Sequence, residues 1–205
     1  MAIKSSIKAY FPTLIYEGAL VAEAQKQRKF LKDLENSSQK VFQSDTQGKK
    51  WSATHYPNGY TSYSSISNLH ELNSSFINLK KKIDTHVAKY AQALGFAPRK
   101  LQMQSCWLNI MPPKATHSLH LHPLSVISGT FYVSVPKGSG ALKFEDPRLS
   151  KMMAAPERRD KFASGSFARF APRAGNVILF ESWLRHEVEN NTGVDERMSI
   201  SFNYS

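Results

Sequence analysis

The sequence predicts a mainly β chain with helices gathered ahead of the sheet, and three observations predict it. First, apolar side chains recur at spacings of three and four over Leu69 to Leu94, which is the longest helical signal. Second, beyond Pro98 the pattern changes to short runs of strand-forming residues separated by turn residues. Third, at least six such runs follow one another with short breaks, which argues for a sandwich or barrel rather than βαβ units. The chain reads as one domain over residues 1–205. Residues 1–97 form a mostly helical and loop part that packs on the sheet, and residues 98–205 form the β core with an insertion at 149–169.

The elements follow in order. Glu17 to Leu34 has helical patterning, with Leu20, Ala24, Phe30, Leu31 and Leu34 on or near one stripe. Asn36 to Ser67 is rich in Ser, Gln, Gly and Asn, with Trp51, Tyr56, Tyr60 and Tyr63 scattered through it, and reads as polar loops with short strands. In the long helix, Leu72, Phe76, Leu79, Ile83, Val87, Tyr90 and Leu94 form the apolar stripe. Gly95 ends it in the left-handed conformation that glycine tolerates. The strand candidates are Leu101 to Met111, Ser118 to His122, Val126 to Pro136, Ala141 to Phe144, Val177 to Ser182 and Arg197 to Tyr204. Regular alternation places Met103, Ser105, Trp107 and Asn109 on one face of the first. The breaks carry turn residues, among them Pro112-Pro113, Lys137-Gly138-Ser139-Gly140 and Asp146-Pro147. Leu149 to Arg169 interrupts the series. A loop that long suggests a lid over a site.

The bulk numbers exclude some classes. The 205 residues suffice for one full core, and 41% hydrophobic with 21% charged residues is ordinary for a globular protein. No apolar run approaches bilayer-spanning length, and Met1 to Tyr10 lacks the apolar block of a signal peptide. A cytoplasmic location is the expectation. The single cysteine, Cys106, has no partner for an internal disulfide and reads as a buried, inert thiol. The net charge of +11 favours an anionic partner, but the basic runs are short and not interleaved with aromatics. Nucleic acid is thus allowed by charge and not indicated by a motif.

Three stretches carry chemistry. In His117-Ser118-Leu119-His120-Leu121-His122-Pro123, a strand points His120 and His122 to the same face, where two imidazoles grip one metal. His117 falls in the opposite phase if the strand is regular. In Val177 to Val188, an apolar strand leads to His186, a distant third ligand candidate. Eleven residues later Arg197 and Ser199 share a face of the last strand. A guanidinium binds a carboxylate through two parallel hydrogen bonds, and a hydroxyl adds a third.

This ordered set resembles the non-haem iron(II)/2-oxoglutarate-dependent oxygenases. The resemblance extends through Ser105-Cys106-Trp107-Leu108-Asn109, His120-x-His122-Pro123, Ser128-Gly129-Thr130-Phe131-Tyr132-Val133, Phe144-Glu145-Asp146-Pro147-Arg148, Phe180-x-Ser182-Trp183-Leu184-x-His186 and Arg197-x-Ser199-Ile200-Ser201-Phe202-Asn203. It is similar to an uncharacterised oxygenase family known mainly from marine bacteria and their phages. The resemblance implies a double-stranded β-helix, the cupin-like jelly-roll. It also implies iron(II) and 2-oxoglutarate as cofactors, dioxygen as co-reactant, and hydroxylation of a substrate it does not identify. Facial coordination by three protein ligands leaves positions for cosubstrate and dioxygen. Arg197 and Ser199 would bind the far carboxylate of 2-oxoglutarate, with the Asn109 amide as a further candidate.

The pattern departs from the broad superfamily at one position. His122 stands where an aspartate or glutamate is usual. Three histidines, His120, His122 and His186, fit the strand phase. Asp146, with Glu145 beside it, is the alternative source of a carboxylate ligand. Two other functional classes compete: a cupin-like metal enzyme that does not use 2-oxoglutarate, such as a thiol dioxygenase, and a non-catalytic jelly-roll binding module. Succinate formation separates the first from the oxygenase, and metal content separates the second.

Overall fold

The computed structural model describes residues 6–7, 9–97, 100–148, 153 and 166–205. In chain order these form β1 (Tyr16–Ala19), α1 (Ala24–Ser44), α2 (Thr46–His55), β2 (Tyr60–Thr61), α3 (Leu69–Leu72), α4 (Ser74–Ala93), β3 (Met103–Met111), β4 (His117–His120), β5 (Ile127–Ser134), β6 (Leu142–Glu145), β7 (Phe167–Phe170), β8 (Asn176–Glu181), β9 (His186–Val188) and β10 (Arg197–Tyr204). Six strands make one sheet in the order β1-β8-β5-β10-β3-β2, and four make a second in the order β4-β9-β6-β7. All pairings between these strands are antiparallel. This is the double-stranded β-helix that the sequence predicts.

Strand alternation sorts the large sheet into two faces. Met198, Ile200, Phe202 and Tyr204 of β10 join Leu108, Ile110, Phe131, Val177 and Leu179 in a core shared with α1 and α4. Helix α4 contributes Phe76, Leu79, Ile83, Val87 and Tyr90, and α1 contributes Phe30, Leu34 and Val41. The helices therefore cover the outer face of the sheet. The opposite face packs on the second sheet through Met111, Tyr132, Ile178, Phe180, Leu142, Phe144 and Val188. The inward positions of β10 are Arg197, Ser199, Ser201 and Asn203, so the polar row of that strand lies between the sheets.

Several elements differ from the sequence expectation. Glu17 to Ala19 is not helical: it pairs with β8, Glu17 opposite Ile178, and the helix begins only at Ala24. Gly18 suits an edge strand here because a side chain at that point would meet the ring of Tyr16. Helix α1 continues to Ser44 through a stretch expected to be loop. Burying Val41 contributes roughly 1.5–3 kcal/mol, against a few tenths for each poor helix former in Asn36-Ser37-Ser38. Residues Thr46 to His55 are also helical, and Asp45 caps them by accepting from the Gly48 amide at 2.8 Å. The long helix breaks at Asn73, whose side chain accepts from the amides of Ser75 and Phe76 and caps α4. Leu72 is consequently exposed rather than part of the stripe. Gly95 does sit at φ +74, past the helix end. Met103 leaves the face of Trp107 and Asn109, because the ladder shifts register between Asn203 and Tyr204. The insertion ends in a strand, β7, paired with β6. Apart from Met153 and residues 166–169, the segment read as a lid lies outside the described residues.

Candidate metal and cosubstrate site

The site grows from the pairing of β4 with β9. His120 stands directly opposite His186 in that ladder. His122 lies just past β4, where its amide donates to the Ser182 carbonyl at 3.0 Å. The potential ligand atoms of the three imidazoles all lie within 4.8 Å of one another. Nε2 of His122 is 3.2 Å from Nε2 of His186.

Hydrogen bonds fix which nitrogen is offered. Nδ1 of His120 donates to the Ser118 carbonyl at 2.7 Å, and Nδ1 of His186 to the Leu184 carbonyl at 2.9 Å. Nδ1 of His122 donates to Oδ1 of Asn203 at 2.8 Å. A carbonyl oxygen only accepts, so each Nδ1 carries the proton and each Nε2 presents a lone pair. Burial, the first cause in every case, holds the three imidazoles below the ordinary range, His122 at about 4 and His186 at about 2, and for these two the neighbouring histidines add to the shift. They are neutral at pH 7, the form a metal binds.

His117 was expected in the opposite phase. The β4–β9 ladder shifts register between His117 and His120, so the strand is not regular there. His117 instead stacks on His120, ring centroids 4.3 Å apart, and packs on Tyr56 at 5.1 Å. It lines the same cavity without joining the converging triad.

Beyond the triad lies a cavity bounded by Tyr56, Asn109, Tyr132, Arg197, Ser199 and Ser201 among others. Arg197 is 4% exposed. Its Nη1 donates to the Gly140 carbonyl at 3.1 Å, Nη2 points at Sδ of Met111 at 2.8 Å, and the guanidinium lies 5.6 Å from the Tyr132 ring centre. Gly140 has to be glycine because a Cβ there would overlap the Glu189 carbonyl. Four buried polar atoms around this cavity have no protein partner: Arg197 Nε, Tyr56 OH, Tyr132 OH and Asn109 Oδ1. Burial raises both tyrosines to about 12, despite the opposing pull of Arg197, so both hydroxyls keep their protons. A cation and two hydroxyl donors buried together form a pocket suited to a carboxylate. Ser199 lines it from β10, opposite Asn109. The Asn109 amide donates to Ser201 Oγ at 3.0 Å.

Asp146 and Glu145 are turned to other partners. Asp146 accepts from Arg148, Nε and Nη2 both at 2.9 Å, and lines a different cleft. Glu145 pairs with Arg185 at 3.2 Å. Neither belongs to the converging group. Sequence reasoning missed Asn203, Tyr132, Tyr56 and Trp107 as site residues. Parity along β10 was the available signal for Asn203, since it shares the phase of Arg197 and Ser199. Trp107 is 5% exposed and stacks on His122, centroids 5.7 Å apart.

Comparison with known proteins bears on the fold and the family. Residues 105–203, just under half of the chain, match a family described as "Putative 2OG-Fe(II) oxygenase". No curated protein matches the chain. Among solved structures, a prolyl-4-hydroxylase from Pseudomonas putida superposes with a TM-score of 0.62 at 15% identity, over 94% of this chain and 92% of that one. HygX from Streptomyces hygroscopicus, solved with nickel and 2-oxoglutarate bound, gives 0.62 at 13% identity, over 94% and 83%. An oxidoreductase of the 2OG-Fe(II) oxygenase family from Burkholderia pseudomallei gives 0.48 at 21% identity, where this chain spans 59% of that protein's length. At such identities the two likenesses at 0.62 show the fold alone.

Proposed function

We propose that this chain, whose residues 105–203 match a family described as "Putative 2OG-Fe(II) oxygenase", is an iron(II)- and 2-oxoglutarate-dependent oxygenase that holds its metal with three histidines and no carboxylate. The observation that carries the reading is the convergence of three imidazoles, each with its Nδ1 hydrogen-bonded, beside a buried arginine. His120, His122 and His186 are the metal ligands. Arg197, with Ser199 and the free hydroxyls of Tyr132 and Tyr56, holds the far carboxylate of 2-oxoglutarate, and Asn109 fixes the same end. The donor set fits the metal, because iron(II) accepts imidazole nitrogen. The unpartnered Arg197 Nε and tyrosine hydroxyls fit the carboxylate.

When bound, iron(II) supplies the oxidation: 2-oxoglutarate, dioxygen and a substrate C–H give succinate, carbon dioxide and the hydroxylated product. The chain's own residues bind and exclude. The apolar wall of Phe144, Phe180, Leu142 and Val188 keeps bulk water from the triad. The neutral imidazoles leave the charge of the dianionic cosubstrate to be balanced by metal and Arg197.

The reading treats residues 1–205 as one domain, supported by the continuous apolar core between helices and sheet. A cytoplasmic location fits the buried Cys106, whose thiol burial pushes up to about 12. No helix among the described residues is long and apolar enough to cross a membrane. The test is succinate formation from 2-oxoglutarate by the iron(II)-loaded protein in air. Wild type is expected to form succinate and His186→Ala is not. Equal turnover by the variant contradicts the assignment.

A further inference from the structure

A second cleft opens on the other side of the histidines. His120 and His122 line it as they line the cosubstrate cavity, so the two spaces share the metal centre as a common wall. Trp51 and His55 come from α2, Tyr63 from the loop after β2, Trp107 from β3, and Leu121 and Pro123 from the segment around His122. No Lys, Arg, Asp or Glu is among its described lining residues.

The rings form a connected surface. Trp107 stacks on His122 with the planes 28° apart, and Tyr63 meets Trp107 edge-on at 5.0 Å. Trp51 stacks on His55 at 4.5 Å with the planes 10° apart. Trp107 is buried, while Trp51, Tyr63 and Leu121 are 36%, 53% and 41% exposed. Single exposed aromatics are common, but these cluster at the mouth of a cleft leading to the histidines, and it is such a patch that marks a binding surface. On α2, Lys50 beside Trp51 is not among the lining residues, and Lys49 is turned away. Its Nζ donates to the Gln43 carbonyl and lies over the Phe42 ring.

We propose that this cleft takes the substrate of the oxygenase, and that the substrate is an uncharged molecule presenting a flat ring to Trp51, Tyr63 and Trp107. The inference rests on the oxygenase reading for the identity of the bound molecule as substrate. Electrostatics select against charge from two directions. An ion entering the cleft loses water and finds no counter-charge among the described lining residues. Iron(II), three neutral imidazoles, dianionic 2-oxoglutarate and the buried Arg197 leave the centre with one net positive charge, which opposes a cation, while the electron-rich faces of the lining rings oppose an anion. A cation would gain contact with the ring faces but would have to approach a chain of net charge +11. A flat neutral ring gains stacking and loses little hydration.

The test is equilibrium dialysis of four probes against the protein loaded with iron(II) and 2-oxoglutarate under nitrogen. Quinoline and N-methylquinolinium share a shape and differ in charge. 2-Naphthol and decahydro-2-naphthol share a hydroxyl and differ in flatness. Quinoline is expected to bind at least about tenfold more tightly than its cation, and 2-naphthol at least about threefold more tightly than its saturated analogue. Trp51→Ala, at a partly exposed position, is expected to weaken both flat neutral probes about three- to tenfold. Preference for the cation or the saturated alcohol overturns the proposal, as does equal binding of the flat probes by Trp51→Ala. Labelled 2-oxoglutarate in the same dialysis reports separately on the oxygenase reading. If it is not retained that reading fails, while the probe ranking still decides the chemistry of the cleft.

Discussion

Replacing Asn203 by Ala tests whether the triad is held by its surroundings. The other two ligands are oriented by main-chain carbonyls, Ser118 for His120 and Leu184 for His186, which substitution leaves in place. Only His122 depends on a side chain, through the 2.8 Å bond to Asn203 Oδ1. That oxygen also accepts from Ser128 Oγ at 2.8 Å, and Ser128 in turn contacts Ser182 Oγ at 2.7 Å. In Asn203→Ala, Ser128 keeps Ser182, but the His122 Nδ1–H loses its acceptor in a buried site. Leaving such a donor unpaired costs about 1–3 kcal/mol. Without metal the imidazole escapes part of that by changing tautomer or turning. With metal it cannot, so the loss falls on metal affinity, by about 10- to 100-fold. Asn203→Asp keeps an acceptor and raises the basicity of the ring, so it is expected to hold metal at least as well as wild type. Calorimetric titration with cobalt(II) under nitrogen reads both variants, with far-ultraviolet circular dichroism as the check on folding. A folded Asn203→Ala variant that binds cobalt within twofold of wild type refutes the orienting role.

Two more outcomes follow from the same geometry. Arg197→Lys keeps the charge and loses the fork, so 2-oxoglutarate affinity is expected to fall roughly ten- to hundredfold, and further in Arg197→Ala. The charge-transfer absorption of the anaerobic iron(II) protein measures this, and equal binding by wild type and the Ala variant removes Arg197 as the anchor. The metal-free protein should also lose stability on acidification. Burial holds His70, His86, His117, His120, His122 and His186 below the ordinary value of 6.5, His117 at about 3. The unfolded chain therefore binds protons that the folded chain refuses. Unfolding free energy rises with pH in that window and falls as pH drops from 7 towards 5. Urea unfolding at the two pH values reads it, and equal or greater stability at pH 5 contradicts it.

Much of the site was legible in the sequence because strand parity is a rigid rule. His120, Arg197 and Ser199 sit where alternation puts them, facing one cavity with His186. Legibility failed where the backbone is irregular. A register shift in β4 turned His117 inward, and another near Tyr204 turned Met103 outward. The helical half was harder to read for a different reason. Residues 36–55 carry weak helix formers, and their helicity comes from tertiary burial of Val41 and Ser38 and from the Asp45 cap, none of which local propensity reveals. Tyr56, Tyr63 and Trp51 look like scattered aromatics in one dimension. They become one wall of the site only when α2 and β2 are brought against β3.

The central claim is a three-histidine metal beside an arginine-anchored cosubstrate. A crystal structure of the protein loaded anaerobically with iron(II) and 2-oxoglutarate tests it most directly. The account predicts one metal within roughly 2.0–2.3 Å of Nε2 of His120, His122 and His186, and the far carboxylate of 2-oxoglutarate on Arg197 and Ser199. A metal that leaves His122 for a carboxylate such as Asp146, or a cosubstrate with no contact to Arg197, contradicts it.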